Sequence, residues 1–223
     1  MNLIYNLTTL RNSKPSIIAF TGKAGAGKNT ASLAVADLIY LNTDRTETKE
    51  FAFADTLKDI AKLLGFTHDQ LYDPVQKQVH DEFWGMSPRK ALQIIGTDAM
   101  RENFHQDVWV KSLERKVKDY VDDDEVNGIA LITDCRFPNE ADVIKEWGGI
   151  TIDIQRKVPK EFDDVDSSHK SELGTGRTPD IIVTETGNCD LETLGVSMKS
   201  ILELLGYLTP EEFHKFGPVF EKK

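Results

Sequence analysis

Apolar residues fall along this chain in blocks with two different periods. Residues 16–21, "SIIAFT", form a nearly unbroken apolar run and predict a buried strand. Over 28–41 the period changes: Ala31, Ala34, Val35, Leu38 and Ile39 recur at helical spacing on one face. "FAFA" (51–54) predicts a short strand and "DTLKDIAKLLGF" the helix after it. Residues 67–87 have weak periodicity, with Pro74, Gly85 and the polar run "KQVHDE", and predict a mobile or inserted segment. Ser87-Pro88 starts the next helix, serine as cap and proline in the first turn. From 108 onward Trp109, Leu113, Val117 and Val121 recur every fourth residue, a helix with an apolar stripe.

The second half continues the alternation. "IALITD" (129–134) predicts a strand ending on Asp134, "NEADVIKEWGG" a helix closing on glycine, and "ITIDIQ" a further strand. "IIVTE" is the last strand and "DLETLGVSMKSILELLG" the closing helix. There is no internal repeat. Strands alternating with helices predict an α/β fold, a parallel sheet with helices on both faces, in a single domain over 1–223.

Between the first apolar strand and its helix lies "TGKAGAGKNT", with three glycines and two lysines in ten residues. Parallel α/β sheets bind ligands beyond the C-terminal ends of their strands. Glycines let the backbone curl so that successive N–H groups face an anion, and the adjoining helix directs its positive end to the same point. The pattern Gly-x-x-x-x-Gly-Lys is that of a phosphate-binding loop, with Gly25, Ala26, Gly27, Lys28, Asn29 and Thr30 as candidate nucleotide contacts and Lys28 reaching the β- and γ-phosphates. Asn29 stands where a Mg²⁺-ligating hydroxyl is usual. The metal is therefore expected on the phosphates of ATP and on water, with no dedicated protein ligand, and Thr30 at the α-phosphate. There is no Asn-Lys-x-Asp guanine selector, which speaks against a GTPase switch.

Composition narrows the class. The 223 residues are 39% apolar and 29% charged, with 27 basic against 37 acidic side chains and a net charge of −10. That balance excludes a coat for polymeric nucleic acid, which needs a basic surface. It leaves room for a small anion in a locally positive pocket. Two cysteines, Cys135 and Cys189, make neither a disulfide framework nor a zinc set, so a reducing, cytoplasmic setting is expected. No apolar stretch has the length of a membrane span, and the first residues lack signal-peptide order.

The loop "GKAGAGKNT" resembles that of adenylate kinases. Four segments in matching order, "GKNT", "FADTLKD", "RKALQIIGTD…VWVK" with "TDCRFPNEAD", and "HKSE", resemble phage-type deoxynucleoside monophosphate kinases over residues 16–205. The resemblance implies a P-loop nucleoside monophosphate kinase fold, ATP with Mg²⁺ as donor, and a deoxynucleoside monophosphate as acceptor. Many relatives carry Asp at position 29 and a basic residue at 24, where this chain has Asn29 and Ala24.

On the acceptor side, Lys58 comes after the second strand, and the resemblance places it on the acceptor monophosphate; a solvated lysine is the plain alternative. Arg89, Gln93 and Gly96, at i, i+4 and i+7, share one side of their helix. An arginine fork suits phosphate, an amide suits a base edge, and glycine leaves room for a ring. The resemblance carries these three and Thr97 to the acceptor pocket, while Arg89 could instead pair with a surface carboxylate. Trp109 can stack on a base or simply begin its apolar stripe. Asp134 ends its strand near the loop and Arg136 is two residues on. Both are expected at the reacting phosphate, against a reading in which they pair with each other or cap the next helix. "SSHKSE" holds His169 and Glu172, two ligand types without a third, and suggests part of a lid over 160–178. A phosphomevalonate-like kinase and a non-catalytic ATP-sensing module stay open as alternatives, as does a homodimer.

Overall fold

The computed structural model describes residues 2–5, 10, 12–43, 47–123, 127–155, 170, 173–184 and 191–209. Its sheet has six strands: β1 (Asn2–Tyr5), β2 (Ile17–Thr21), β3 (Thr48–Phe51), β4 (Ile129–Ile132), β5 (Ile150–Gln155) and β6 (Ile181–Thr184). Their spatial order is β1-β6-β5-β2-β4-β3. Five strands run parallel, and β1 closes one edge antiparallel to β6, Leu3 opposite Val183. The strand periodicity did not foresee β1, whose four residues are too few to establish a period.

β2 is central and buried on both faces, hence its unbroken apolar sequence. Ile18 and Phe20 point into a core formed with α1 (Lys28–Asn42) and α7 (Leu191–Leu205), where Val35, Ile39, Met198 and Ile201 meet. Ile17 and Ala19 point the other way, into a core formed with α5 (Val108–Val121) and α6 (Pro138–Glu146). The predicted stripe of α5 holds: Trp109, Leu113 and Val117 are buried there. The period-2 alternation of one strand thus builds both layers.

The apolar run at 51–54 is not a strand throughout. β3 stops at Phe51, and the next three amides turn to carboxylates: Ala52 N–H donates to Asp55 Oδ2 at 2.9 Å, Phe53 N–H to Asp134 Oδ1 at 2.8 Å and Ala54 N–H to Asp134 Oδ2 at 3.0 Å. The chain then enters α2 (Asp55–Leu63) with Lys58 closing its first turn.

Residues 67–87 form a folded cap over α2. Thr67 and Gln70 make a reciprocal capping box at the start of α3 (His68–Tyr72). Leu71 is fully buried against Ala61, Phe66 and Ala91, and the 3₁₀ turn Gln76–Gln78 comes next. The weak periodicity of this stretch reflects elements too short to show one. α4 (Pro88–Gln93) begins as expected, Ser87 Oγ accepting from Lys90 N–H at 3.3 Å. It then widens into a π-helix, Ile94–Arg101. No helix among the described residues is long and apolar enough to cross a membrane.

Candidate active site

The loop between β2 and α1 folds as its glycines require. Gly22, Gly25 and Gly27 all take positive φ, at 130°, 73° and 94°. Lys28 is 7% exposed and folds back over the loop, its Nζ donating to the carbonyl oxygens of Gly22 (2.8 Å) and Lys23 (2.9 Å). A Cβ on Gly22 would stand 2.5 Å from the Ile154 carbonyl oxygen. We expect Gly22→Ala to cost about 2–4 kcal/mol, since backbone strain and a backbone clash coincide. At Gly148, left-handed too but facing open space, the same change costs about 1 kcal/mol. Urea titrations of the two variants measure the difference.

Beside the loop opens a cleft of about 540 Å³ that gathers the sequence-predicted residues. Gly25, Gly27, Lys28, Asn29 and Thr30 form one wall; Lys58, Arg89, Gln93, Gly96, Thr97 and Trp109 form the other; Asp134 and Arg136 lie between them. Ala26 faces away, towards a second cleft. The lining carries six cations (Lys28, Lys58, Lys77, Arg89, Arg101, Arg136) and two carboxylates (Asp134, Glu140). In a chain of net charge −10 this is a local concentration of positive charge in a concave site, which focuses potential on an anionic ligand.

On the far wall, Lys58 Nζ lies 4.3 Å from the centre of the Tyr72 ring, which holds it over the cleft. The π-helix keeps Arg89, Gln93, Thr97 and Arg101, each four residues from the last, along the same cleft; such widened turns occur often at functional sites. Two expectations about this wall change. Gly96 leaves room for a neighbouring side chain, since a Cβ there would meet Leu57 Cδ2 at 2.7 Å. Trp109 is 3% exposed, and its Nε1 donates to the Gly96 carbonyl at 2.9 Å. The indole packs in the core and fixes the π-helix, which favours the stripe reading over base stacking.

Asp134 spends both carboxylate oxygens on the main-chain N–H groups of Phe53 and Ala54. It thereby ties β4 to the start of α2 and sets where Lys58 stands. Arg136 is held through its main chain: its N–H donates to Glu140 Oε2 at 2.7 Å, and Phe137 N–H to the same oxygen at 3.0 Å. Glu140 is 1% exposed and pairs through Oε1 with Arg101, itself 8% exposed and lying 3.9 Å over the Phe137 ring. Burial raises the Glu140 carboxyl, to about 7, against the lowering pull of Arg101 and of the two N–H groups. Sequence reasoning missed Arg101, Glu140 and Lys77. The four-residue spacing from Arg89 to Arg101 could have found Arg101; nothing in "KQVHDE" marks Lys77.

The second cleft, about 580 Å³, lies on the other side of the loop. Gly22, Lys23 and Ala26 border it, with the end of β5 and residues 173–177 opposite. Arg136 lines both clefts and stands at their junction. Of the lid expected over 160–178, His169 and Glu172 lie outside the described residues. Lys170 is described and pairs with Glu102, just beyond the π-helix. Among the described residues no three His, Cys, Asp or Glu side chains gather as a metal site.

A family model described as deoxynucleotide monophosphate kinase matches residues 66–195, more than half of the chain. The chain belongs to that family. It is thus an enzyme of the kinase class, and the two clefts belong to a deoxynucleotide monophosphate kinase family member, with the glycine-rich loop between them. A relative from Acanthamoeba polyphaga mimivirus, provisionally named a deoxynucleotide monophosphate kinase, is 36% identical over 150 residues, 63% of this chain and 74% of that protein. The deoxynucleoside-5′-monophosphate kinase of Escherichia phage T5 is 38% identical over 92 residues, 40% of this chain and 35% of its own length. Among solved structures, a sugar kinase of Janibacter sp. HTCC2649 is distantly similar, at a TM-score of 0.44 and 16% identity, over 86% of this chain and 97% of that one.

Proposed function

We propose that this family member transfers the γ-phosphate of ATP to the 5′-phosphate of a deoxynucleoside monophosphate, giving the diphosphate. The cation-lined cleft supports this most: it lies beside the loop, at the C-terminal edge of the parallel strands, where α/β sheets take their ligands. In this reading the loop wraps the triphosphate. The donor nucleoside lies in the cleft beside Lys23 and β5, and the acceptor in the cleft under the cap. Arg136, lining both, stands where the phosphoryl group passes.

Phosphoryl transfer asks mainly for placement and for neutralisation of negative charge. Lys28 leaves its two carbonyl partners for the β- and γ-phosphates, Arg136 spans the transferring group, and Lys58 and Arg89 hold the acceptor phosphate. No strong base is required, because the attacking phosphate oxygen is already ionised. Mg²⁺, arriving with ATP, would neutralise the phosphate oxygens. The donor set suits a metal held by phosphates and water, since Asp134 has both oxygens on main-chain N–H groups and Asn29 offers only an amide. Closure of the 67–87 cap and of the segment around 160–178 would exclude water as a competing acceptor. A cytoplasmic setting accords with Cys135, a buried free thiol.

An acceptor screen tests the reading. ADP should form from ATP only when a monophosphate is added, at rates that differ among the four deoxynucleoside monophosphates. ATP turnover indifferent to all four, or phosphomevalonate outpacing every nucleotide, would sink it. ATP binding without any turnover would instead favour a sensing module.

A further inference from the structure

The cap carries a cation that has no part in the transfer reaction proposed for this site. Lys77 lies in the 3₁₀ turn Gln76–Gln78 and lines the acceptor cleft with Lys58, Arg89 and Arg136. The turn is firmly anchored: Asp73 Oδ1 accepts the N–H groups of Val75 (2.9 Å) and Gln76 (2.8 Å), and Gln78 Nε2 donates back to the Pro74 carbonyl at 3.1 Å. Leu71, fully buried one helix earlier, pins the cap to α2 and α4. The stem of Lys77 therefore emerges from a fixed piece of backbone into a site lined by five other cations, of which Lys58, Arg89 and Arg136 act on it directly.

We propose that Lys77 is a direct ligand of the acceptor's 5′-phosphate, completing from the cap side the clamp that Lys58 and Arg89 form from α2 and α4. The inference rests on the monophosphate kinase reading. Several cations crowded into one concavity repel one another unless an anion belongs among them. The groups facing Lys77 are Lys58 from α2, Arg89 from α4, and Arg136 and Asp134 from the end of β4, with Tyr72 of α3 lining the same wall. Burial first, then Lys58, Arg136 and Arg89, lower the Lys77 ammonium to about 8, and Asp134 pulls weakly the other way. A phosphate dianion beside Lys77 offsets both the burial and the neighbouring positive charges and restores the proton's hold. Lys77 is thus charged and binds phosphate below pH 8, and above pH 8 it is increasingly neutral, so acceptor binding weakens as pH rises. Nucleoside phosphates lose their second proton near pH 6, so the ligand's own charge stays constant across that window.

The test is steady-state kinetics with saturating ATP and each of the four deoxynucleoside monophosphates, at pH 7 and pH 9, on the wild type, Lys77→Met and Lys77→Arg. Methionine keeps the stem and its packing; arginine keeps a charge that does not titrate in this range. For the wild type, KM for the acceptor should rise about five- to tenfold from pH 7 to pH 9. Lys77→Met should raise that KM about tenfold at pH 7 and flatten its pH dependence, with KM for ATP within about twofold. Lys77→Arg should stay within about threefold of wild type at pH 7 and remain flat to pH 9. An acceptor KM in Lys77→Met within twofold of wild type, or one that keeps the wild-type pH slope, overturns the inference alone. A wild type inert towards all four monophosphates overturns the parent reading and this inference with it.

Discussion

Lys28→Ala is expected to lower ADP formation by about a hundred- to a thousandfold while leaving the fold in place. Without ligand, the Lys28 ammonium is nearly buried and held by the Gly22 and Lys23 carbonyls at 2.8 and 2.9 Å. These are charge-assisted hydrogen bonds to neutral acceptors, which a phosphate oxygen outcompetes because it brings a full opposite charge. In the proposed reaction alanine removes the side chain that follows the β- and γ-phosphates, and loss of a preorganised donor at developing charge costs about 10²–10³ in rate. Stability should fall much less, by about 1 kcal/mol, because the two carbonyls sit at the mouth of a cleft and can take water instead. Lys28→Arg tests the geometry as opposed to the charge: a planar fork cannot occupy the seat of a compact ammonium, and activity should stay below a tenth of wild type. The assay is coupled ADP release at saturating acceptor, with thermal melts alongside. Activity of Lys28→Ala within tenfold of wild type would remove the loop from the chemistry.

The sequence made the sheet and its two layers legible because β2 and β4 are buried on both faces, and continuous apolar runs such as "IIAF" leave little choice of assignment. The loop was legible for a related reason: glycines at positions 22, 25 and 27 are what positive φ demands, and Lys28 heads the helix that begins there. Side-chain destinations were harder. Gly96 reads equally well as space for a base or for Leu57, and only the packing of α2 against the π-helix decides. The four-residue spacing that brings Arg89 and Gln93 together continues to Thr97 and Arg101 along the same cleft, but no residue in "IIGTDAMR" signals the widened turn that carries the last two. Lys77 was illegible because its place depends on Leu71 and Asp73 folding the cap. Those are tertiary and capping effects, spread over elements of three to five residues.

The second large effect is expected at the buried pair beneath Arg136. Arg101→Met should destabilise the protein by about 3–5 kcal/mol, because it leaves the Glu140 carboxylate, 1% exposed, without its cation. For a chain of this size that is a fall in Tm of roughly 10 °C. The deficit should also depend on pH. Burial already holds Glu140 above the ordinary carboxyl value, to about 7, and removing Arg101 deletes the largest effect that lowers it. A group whose folded pKa is raised contributes stability at low pH that is lost as pH climbs from its unfolded value towards the folded one. Arg101→Met should therefore fall short of wild type by more at pH 8 than at pH 5.5, where the orphaned carboxyl takes up a proton. A methionine that merely packed badly would show the same deficit at both. Arg101→Met with Glu140→Met should recover most of the lost stability, since neither charge is then left behind, so the two changes should be strongly non-additive. Turnover should not recover with it. Glu140 Oε2 also accepts the main-chain N–H groups of Arg136 and Phe137, and without that acceptor the turn presenting the Arg136 guanidinium to both clefts loses its anchor. Restored melting temperature with kcat still depressed at least tenfold would identify Glu140 as a positioning residue for Arg136. Restored kcat would assign the pair to stability alone.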